Sequence, residues 1–99
     1  QDEWEHSDTL NAMAWMMVDE TNVKKRNLDL ALKCAARADT LENHQDPNIL
    51  DTLARVYWAR GDAARAITIQ QRAVEKAGTA QKGQFQEVLE RYRSSPNGS

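Results

Sequence analysis

With 13 lysines and arginines against 15 aspartates and glutamates in 99 residues, the chain carries a formal charge of −2, which gives no electrostatic pull toward nucleic acid or anionic lipid. Hydrophobic residues make up 40% and charged residues 28%, an ordinary composition for one small globular domain or a fragment of something larger. No apolar run approaches the roughly 18 residues of a membrane span, no signal-peptide pattern is present, and the single Cys34 excludes an internal disulfide and a CxxC redox pair.

The chain starts abruptly at "QDEWEH", so residues 1–7 read as a linker or the frayed start of a helix, as in an excised piece of a longer protein. The first helix is expected over residues 8–18. Leu10, Met13, Ala14 and Met17 recur there at three- and four-residue spacing, and Ser7 or Asp8 can accept the free N–H groups of its first turn. A polar loop, "DETNVKKRN", follows. Its basic cluster, Lys24 to Arg26, lies between Asp19/Glu20 and Asp29, so its field is locally cancelled and it reads as solvated loop.

The second helix should start at Asn27, a good cap, and carries Leu28, Ala31, Ala35, Ala38 and Leu41 at helical spacing until "ENHQDP" breaks it. Asp46 is placed to cap the third helix, and Pro47 sits at its first position, where a missing N–H costs nothing. Over residues 47–60 one stripe holds Leu50, Leu53, Ala54 and Tyr57, and Gly61 can end it in the left-handed conformation. Asp62 caps the fourth helix, with Ala66, Ile67, Ile69 or Gln70, Ala73 and Val74 inward. Gly78 should end that helix and Thr79 cap a fifth, which points Phe85, Val88, Leu89 and Tyr92 inward and stops before Pro96. The domain is thus expected over residues 8–93, with 94–99 a disordered polar tail.

Helices joined by turns this short should pack antiparallel. Small residues on the inward stripes then have a purpose, because Ala54 facing Ala66 lets two helix backbones approach where leucine would hold them apart. The outer face of the fifth helix (Gln84, Gln86, Glu87, Glu90, Arg91 and Arg93) is polar, the pattern of a terminal cap. No cap precedes the first helix, so an open end is expected at Trp4 to Met17, packing on an upstream domain or a second copy.

Leu50, Leu53, Ala54 and Tyr57, a Gly61-Asp62 turn, then Ala66 and Ala73 together resemble the tetratricopeptide repeat, a 34-residue helix–turn–helix unit. Leu50 stands where the family usually has Trp, Gln70 replaces a usual aromatic and Gly78 a usual Pro. A looser copy precedes it. Met13-Ala14 matches Leu53-Ala54, Met17 matches Tyr57, and Ala31 and Ala38 match Ala66 and Ala73, with a five-residue insertion falling in the "DETNVKKRN" loop. The resemblance implies an all-α fold of two degenerate helix–turn–helix units and a C-terminal capping helix. It also implies a non-catalytic protein–protein interaction or scaffold domain within a larger protein. No cofactor is expected. The partner would be a protein or peptide, the upstream domain of the same chain included, with no nucleic acid and no membrane insertion.

By the same resemblance the concave binding surface takes Asn11, Trp15 and Val18 from the first helix, and Asn48, Asp51, Thr52, Arg55 and Trp58 from the third. Trp and Arg are the residue types most enriched at binding hot spots. The paired Lys and Asn that grip a peptide's terminal carboxylate in some repeat proteins are missing, since Thr52 occupies the matching position and no lysine sits nearby.

A narrower likeness covers roughly residues 8–93. "LNAMAW", "LDLALKCAARA" and "DPNILDTLARVYWARGDAARAITIQQRAVEKA" look like the C-terminal helical extension of some bacterial thioredoxin-like (redoxin) proteins. That alternative implies an accessory domain of a thiol–disulfide oxidoreductase whose chemistry lies upstream. It would be periplasmic or otherwise extracytoplasmic; without that likeness, a cytoplasmic location is the expectation. Within this chain catalysis finds little to stand on. His6 and His44 are isolated from any triad or metal-ligand spacing, and Cys34 lies near the Ala31–Ala38 stripe, where core packing is the expectation. "RGD" at Arg60 to Asp62 reads as a helix end, a left-handed glycine and a cap, not as an adhesion loop.

Overall fold

The computed structural model describes residues 6–18 and 28–94. Five helices account for nearly all of them: α1 (Ser7–Val18), α2 (Leu28–Leu41), α3 (Pro47–Ala59), α4 (Ala63–Lys76) and α5 (Thr79–Ser94). No strand occurs among the described residues, and the fold is all-α. Helix α5 reaches one residue into the expected tail, where the Ser94 hydroxyl donates to the Glu90 carbonyl at 2.9 Å. The expected Asn27 cap, the "DETNVKKRN" loop, Trp4 and the rest of the tail lie outside the described residues, as do the side chains of Met16, Met17 and Val18.

The helix ends follow from their local sequence. The Asp46 side chain accepts the Asn48 N–H at 2.9 Å, with Pro47 at the first helical position. At the other end of α3, Gly61 takes φ +87, a conformation that an L side chain resists. Its N–H reaches the Trp58 carbonyl at 3.0 Å and the next N–H, of Asp62, reaches Tyr57 at 2.9 Å, the paired bonds of a Schellman motif. Asp62 then turns round to cap α4, accepting the Arg65 N–H at 3.1 Å and pairing with the Arg65 guanidinium at 2.9 Å. All three residues of the tripeptide serve the turn.

Helix α2 ends by the same hydrogen-bond pattern without a glycine. Asn43 and His44 both adopt left-handed φ, at 57 and 61, while their N–H groups bond the carbonyls of Thr40 and Asp39. Asn tolerates that region; His is held there by its ring, which bonds the Asp39 carboxylate. The α4–α5 junction departs from expectation. Ala77 is extended and Gly78 does not take positive φ; instead the Gly78 carbonyl accepts the N–H groups of Gln81 and Lys82, each at 3.0 Å. Gly78 is the half-in residue before α5, and Thr79 is its first turn, not its cap.

Helix α3 packs against α1, α2 and α4, with α1 also on α2 and α4 on α5. Leu10 and Ala14 of α1 meet Ala31, Cys34, Ala35 and Ala38 of α2 and Ile49, Leu53 and Val56 of α3 in one cluster. Leu50, Ala73 and Phe85 form a second, and Ala54, Ala66 and Tyr92 a third. Ala54 and Ala66 are fully buried in that shared cluster, where a longer side chain would have no room. Between the helix ends, Ser7 bonds Glu42, Arg60 pairs with Asp29, and the Gln81 amide donates to Asn48 at 2.8 Å.

Two substitutions in α3 test this packing from opposite directions. Leu53→Ala removes a nearly buried leucine and is expected to cost about 2–5 kcal/mol, whereas Ala54→Leu overfills its interface and costs about 1–3 kcal/mol. Urea unfolding would read both; losses well under about 1 kcal/mol in each would be incompatible with a buried α3.

Candidate functional site

Asp51, Arg55 and Trp58 are spaced i, i+4 and i+7 on α3 and share one side of it. Each reaches a different neighbour. Toward α1, the Arg55 guanidinium carbon lies 4.5 Å from the centroid of the Trp15 ring. Toward α5, the Trp58 ring stacks on Tyr92 with centroids 4.4 Å apart and planes 20° from parallel. Toward α4, Asp51 Oδ1 accepts the Gln70 side-chain amide at 2.9 Å, and the same nitrogen donates to the Phe85 carbonyl of α5 at 3.1 Å. A single face of α3 thereby joins three other helices through polar and ring contacts.

Electrostatics here is a contest between burial and pairing. Asp51 Oδ2 is 3.9 Å from the Arg55 guanidinium, too far for a hydrogen bond. That separation leaves attraction without a bond, and burial outweighs it. Removal from water raises the Asp51 carboxyl above its ordinary value of 3.8, although the Gln70 hydrogen bond and the Arg55 charge both pull the other way. Burial likewise pushes the Tyr92 phenol up to about 12, with Arg55 opposing and the Asp51 charge adding to the rise.

Among the described residues, four side-chain atoms on α1, α3, α4 and α5 are buried without a hydrogen-bond partner: Asn11 Oδ1, Arg55 Nε, Gln70 Oε1 and the Tyr92 hydroxyl. Such atoms are rare in folded proteins, and each costs about 1–3 kcal/mol when left unmet.

The residues expected on an open concave surface divide into three groups. Trp15 is 43% exposed and Asn48 is also exposed, while Asn11, Arg55 and Trp58 are half-buried. Asp51 and Thr52 are interior, at 8% and 3% exposure, because α3 is enclosed on that side as well; the Thr52 hydroxyl donates to the Asn48 carbonyl at 3.0 Å. The side chain of Val18 lies outside the described residues. Two participants were absent from the expected set, Tyr92 and Gln70. Tyr92 read only as core stripe, and Gln70 as an alternative to Ile69 on the inward stripe of α4 and as a departure from a repeat pattern. Their signal was polarity at an inward register, which demands a partner inside.

Elsewhere, Cys34 is buried between α1, α2 and α3, and burial raises its thiol pKa. His6 is exposed, and the His44 ring is engaged by Asp39. Among the described residues, no three His, Cys, Asp or Glu side chains gather to hold a metal, and no helix is long and apolar enough to cross a membrane. Comparisons with protein-family models, curated proteins and solved structures found no match to the chain.

Because the folded protein holds the Asp51 proton more tightly than the unfolded chain, this group's contribution to stability is present below about pH 4 and is lost as pH rises through the native value. Asp51→Asn keeps the acceptor for Gln70 and removes the titration. Its stability relative to the native chain is expected to rise with pH above about 4 in urea unfolding, and a pH-independent difference would contradict the burial effect. For Cys34, modification by an aromatic disulfide reagent should be limited by opening of the fold and become immediate in denaturant. Rapid labelling of the folded protein would contradict its burial.

Proposed function

We propose that this chain is a non-catalytic protein-interaction domain, a scaffold of tetratricopeptide type that takes a peptide or extended protein segment across α1, α3 and α5. The observation that carries the reading is Trp15. A tryptophan 43% exposed, lying on a half-buried arginine that stands one turn before the Trp58 stacked on Tyr92, has the composition of an interaction hot spot.

The arrangement of helix ends supports the repeat reading. Ser7 at the start of α1 meets Glu42 just beyond α2, and Asp29 at the start of α2 meets Arg60 just beyond α3, as antiparallel neighbours would. Asn48 and Gln81, near the starts of α3 and α5, meet each other, as parallel first helices of successive units would. On this reading α1–α2 and α3–α4 are the two degenerate units and α5 is the cap. The partner surface is the side on which α1, α3 and α5 adjoin.

A random dodecapeptide library displayed on phage, selected against the domain, tests the proposal. Selected peptides should shift the backbone amide resonances of α1, α3 and α5. Trp15→Ala should weaken their binding at least fivefold while costing no more than about 1 kcal/mol of stability, the size of an exposed cation–π contact. Shifts confined to the outer faces of α2 and α4, or binding indifferent to Trp15, would count against it.

A further inference from the structure

We propose that Arg55 is the receptor for an acidic side chain, so that the segment recognised across α1, α3 and α5 carries an aspartate or glutamate seated against its guanidinium. This inference rests on the peptide-binding reading above and names the chemistry that reading leaves open.

The guanidinium of Arg55 is underused. It offers five N–H donors, and among the described residues the carboxylate that pairs with it, that of Asp51, is 3.9 Å away. Asp51 is also committed elsewhere, since Gln70 donates to its other oxygen and burial works against its charge. Arg55 Nε is buried with no acceptor among the described residues. The Tyr92 hydroxyl is a second buried donor without an acceptor, and it lies close enough to Arg55 to feel its charge. Its phenolic proton is firmly held, so it too awaits an acceptor. A carboxylate is the ligand that answers these unmet donors, and its two oxygens match the edge of a guanidinium while the flat face stays available for stacking.

Access follows from the same contacts. The Trp15 ring lies on the guanidinium and is the most exposed aromatic group among the described residues around it, so it can give way without opening the core. Asn11, one turn earlier on α1, has a buried side-chain oxygen with no donor. A backbone N–H beside the acidic residue supplies that donor. The site therefore holds unmet donors for a carboxylate and an unmet acceptor for the peptide that bears it. In a chain of net charge −2, a site centred on the Arg55 guanidinium suits a single acidic side chain, not a run of phosphates.

Peptides from the selection described above provide the probes, synthesised with both ends blocked and paired with twins carrying Gln for Glu or Asn for Asp. Affinities are read by fluorescence anisotropy. The selected set should share an acidic residue, and the amide twin should bind native protein at least tenfold more weakly. Arg55→Gln should shrink the preference for acid over amide from at least tenfold to about twofold or less, and backbone amide resonances that keep their native dispersion show that the variant is folded. The twin comparison on native protein stands even where the variant is unstable. Equal binding of acid and amide forms would overturn the acidic-receptor inference while leaving the interaction domain intact. Affinity that requires a free peptide C-terminus, or Arg55-dependent binding of a 20-residue oligothymidylate, would overturn it in favour of a chain end or a nucleic acid. Selection of no peptide would remove both this inference and the proposed function.

Discussion

The structure depends on the enclosure of α3. Seven of its thirteen residues are buried, including Asp51 and Thr52, which sit among Ile49, Leu50, Leu53, Ala54 and Val56. A helix covered on several sides cannot sort its residues into an apolar face and a wet one. Its polar groups must find partners inside. Thr52 does so within its own helix, through the carbonyl four residues back. Asp51 recruits Gln70 from α4, whose amide is also held by α5. The position of α5 is thus coupled to a buried carboxylate on α3, not only to the Phe85, Leu89 and Tyr92 side chains it buries.

Small residues make that enclosure geometrically feasible. Alanines at positions 31, 35, 38, 54, 66 and 73 are buried completely, and they fall on three helices that surround or include α3. Substituting bulk there would push apart helices that the Asp51–Gln70 bond, 2.9 Å long, holds together. The turns act in the same direction. Two successive helix ends use the same pair of backbone hydrogen bonds, one built on Gly61 and one on Asn43 and His44. The second costs backbone energy that glycine would have avoided. The His44–Asp39 contact offsets part of it, at the C-terminal end of α2.

Much of the fold could be read from residue spacing. The inward stripe of α5, the caps at Asp46 and Asp62, and left-handed Gly61 depend on local rules that sequence carries directly. What it does not carry is how many sides of a helix become covered. Ile49 and Val56 lay off the expected stripe of α3, and Asp51 and Thr52 were assigned to open surface for the same reason. Periodicity finds one buried face; a second arises only from the neighbours' positions. The roles of Tyr92 and Gln70 were hidden likewise, since stacking on Trp58 and bonding to Asp51 join residues far apart in the chain. The left-handed pair at Asn43-His44 shows a further limit, because residue spacing announces neither that conformation nor the contact of the His44 ring with Asp39.

The unmet polar atoms around Arg55 bear on how firmly such a site can be held in readiness. A guanidinium satisfied by a close carboxylate would be more stable and less receptive, since any ligand would have to displace its partner. Here Gln70 draws Asp51 into a different hydrogen bond, and the remaining separation leaves attraction without a bond. Trp15 supplies a contact worth about 0.5–1 kcal/mol at an exposed site, enough to orient the guanidinium and weak enough to yield. On the proposed reading, the free domain carries a cost that association would remove. Such a cost is bearable only because the enclosed α3, with its alanine contacts, holds Arg55 in place without help from the site itself.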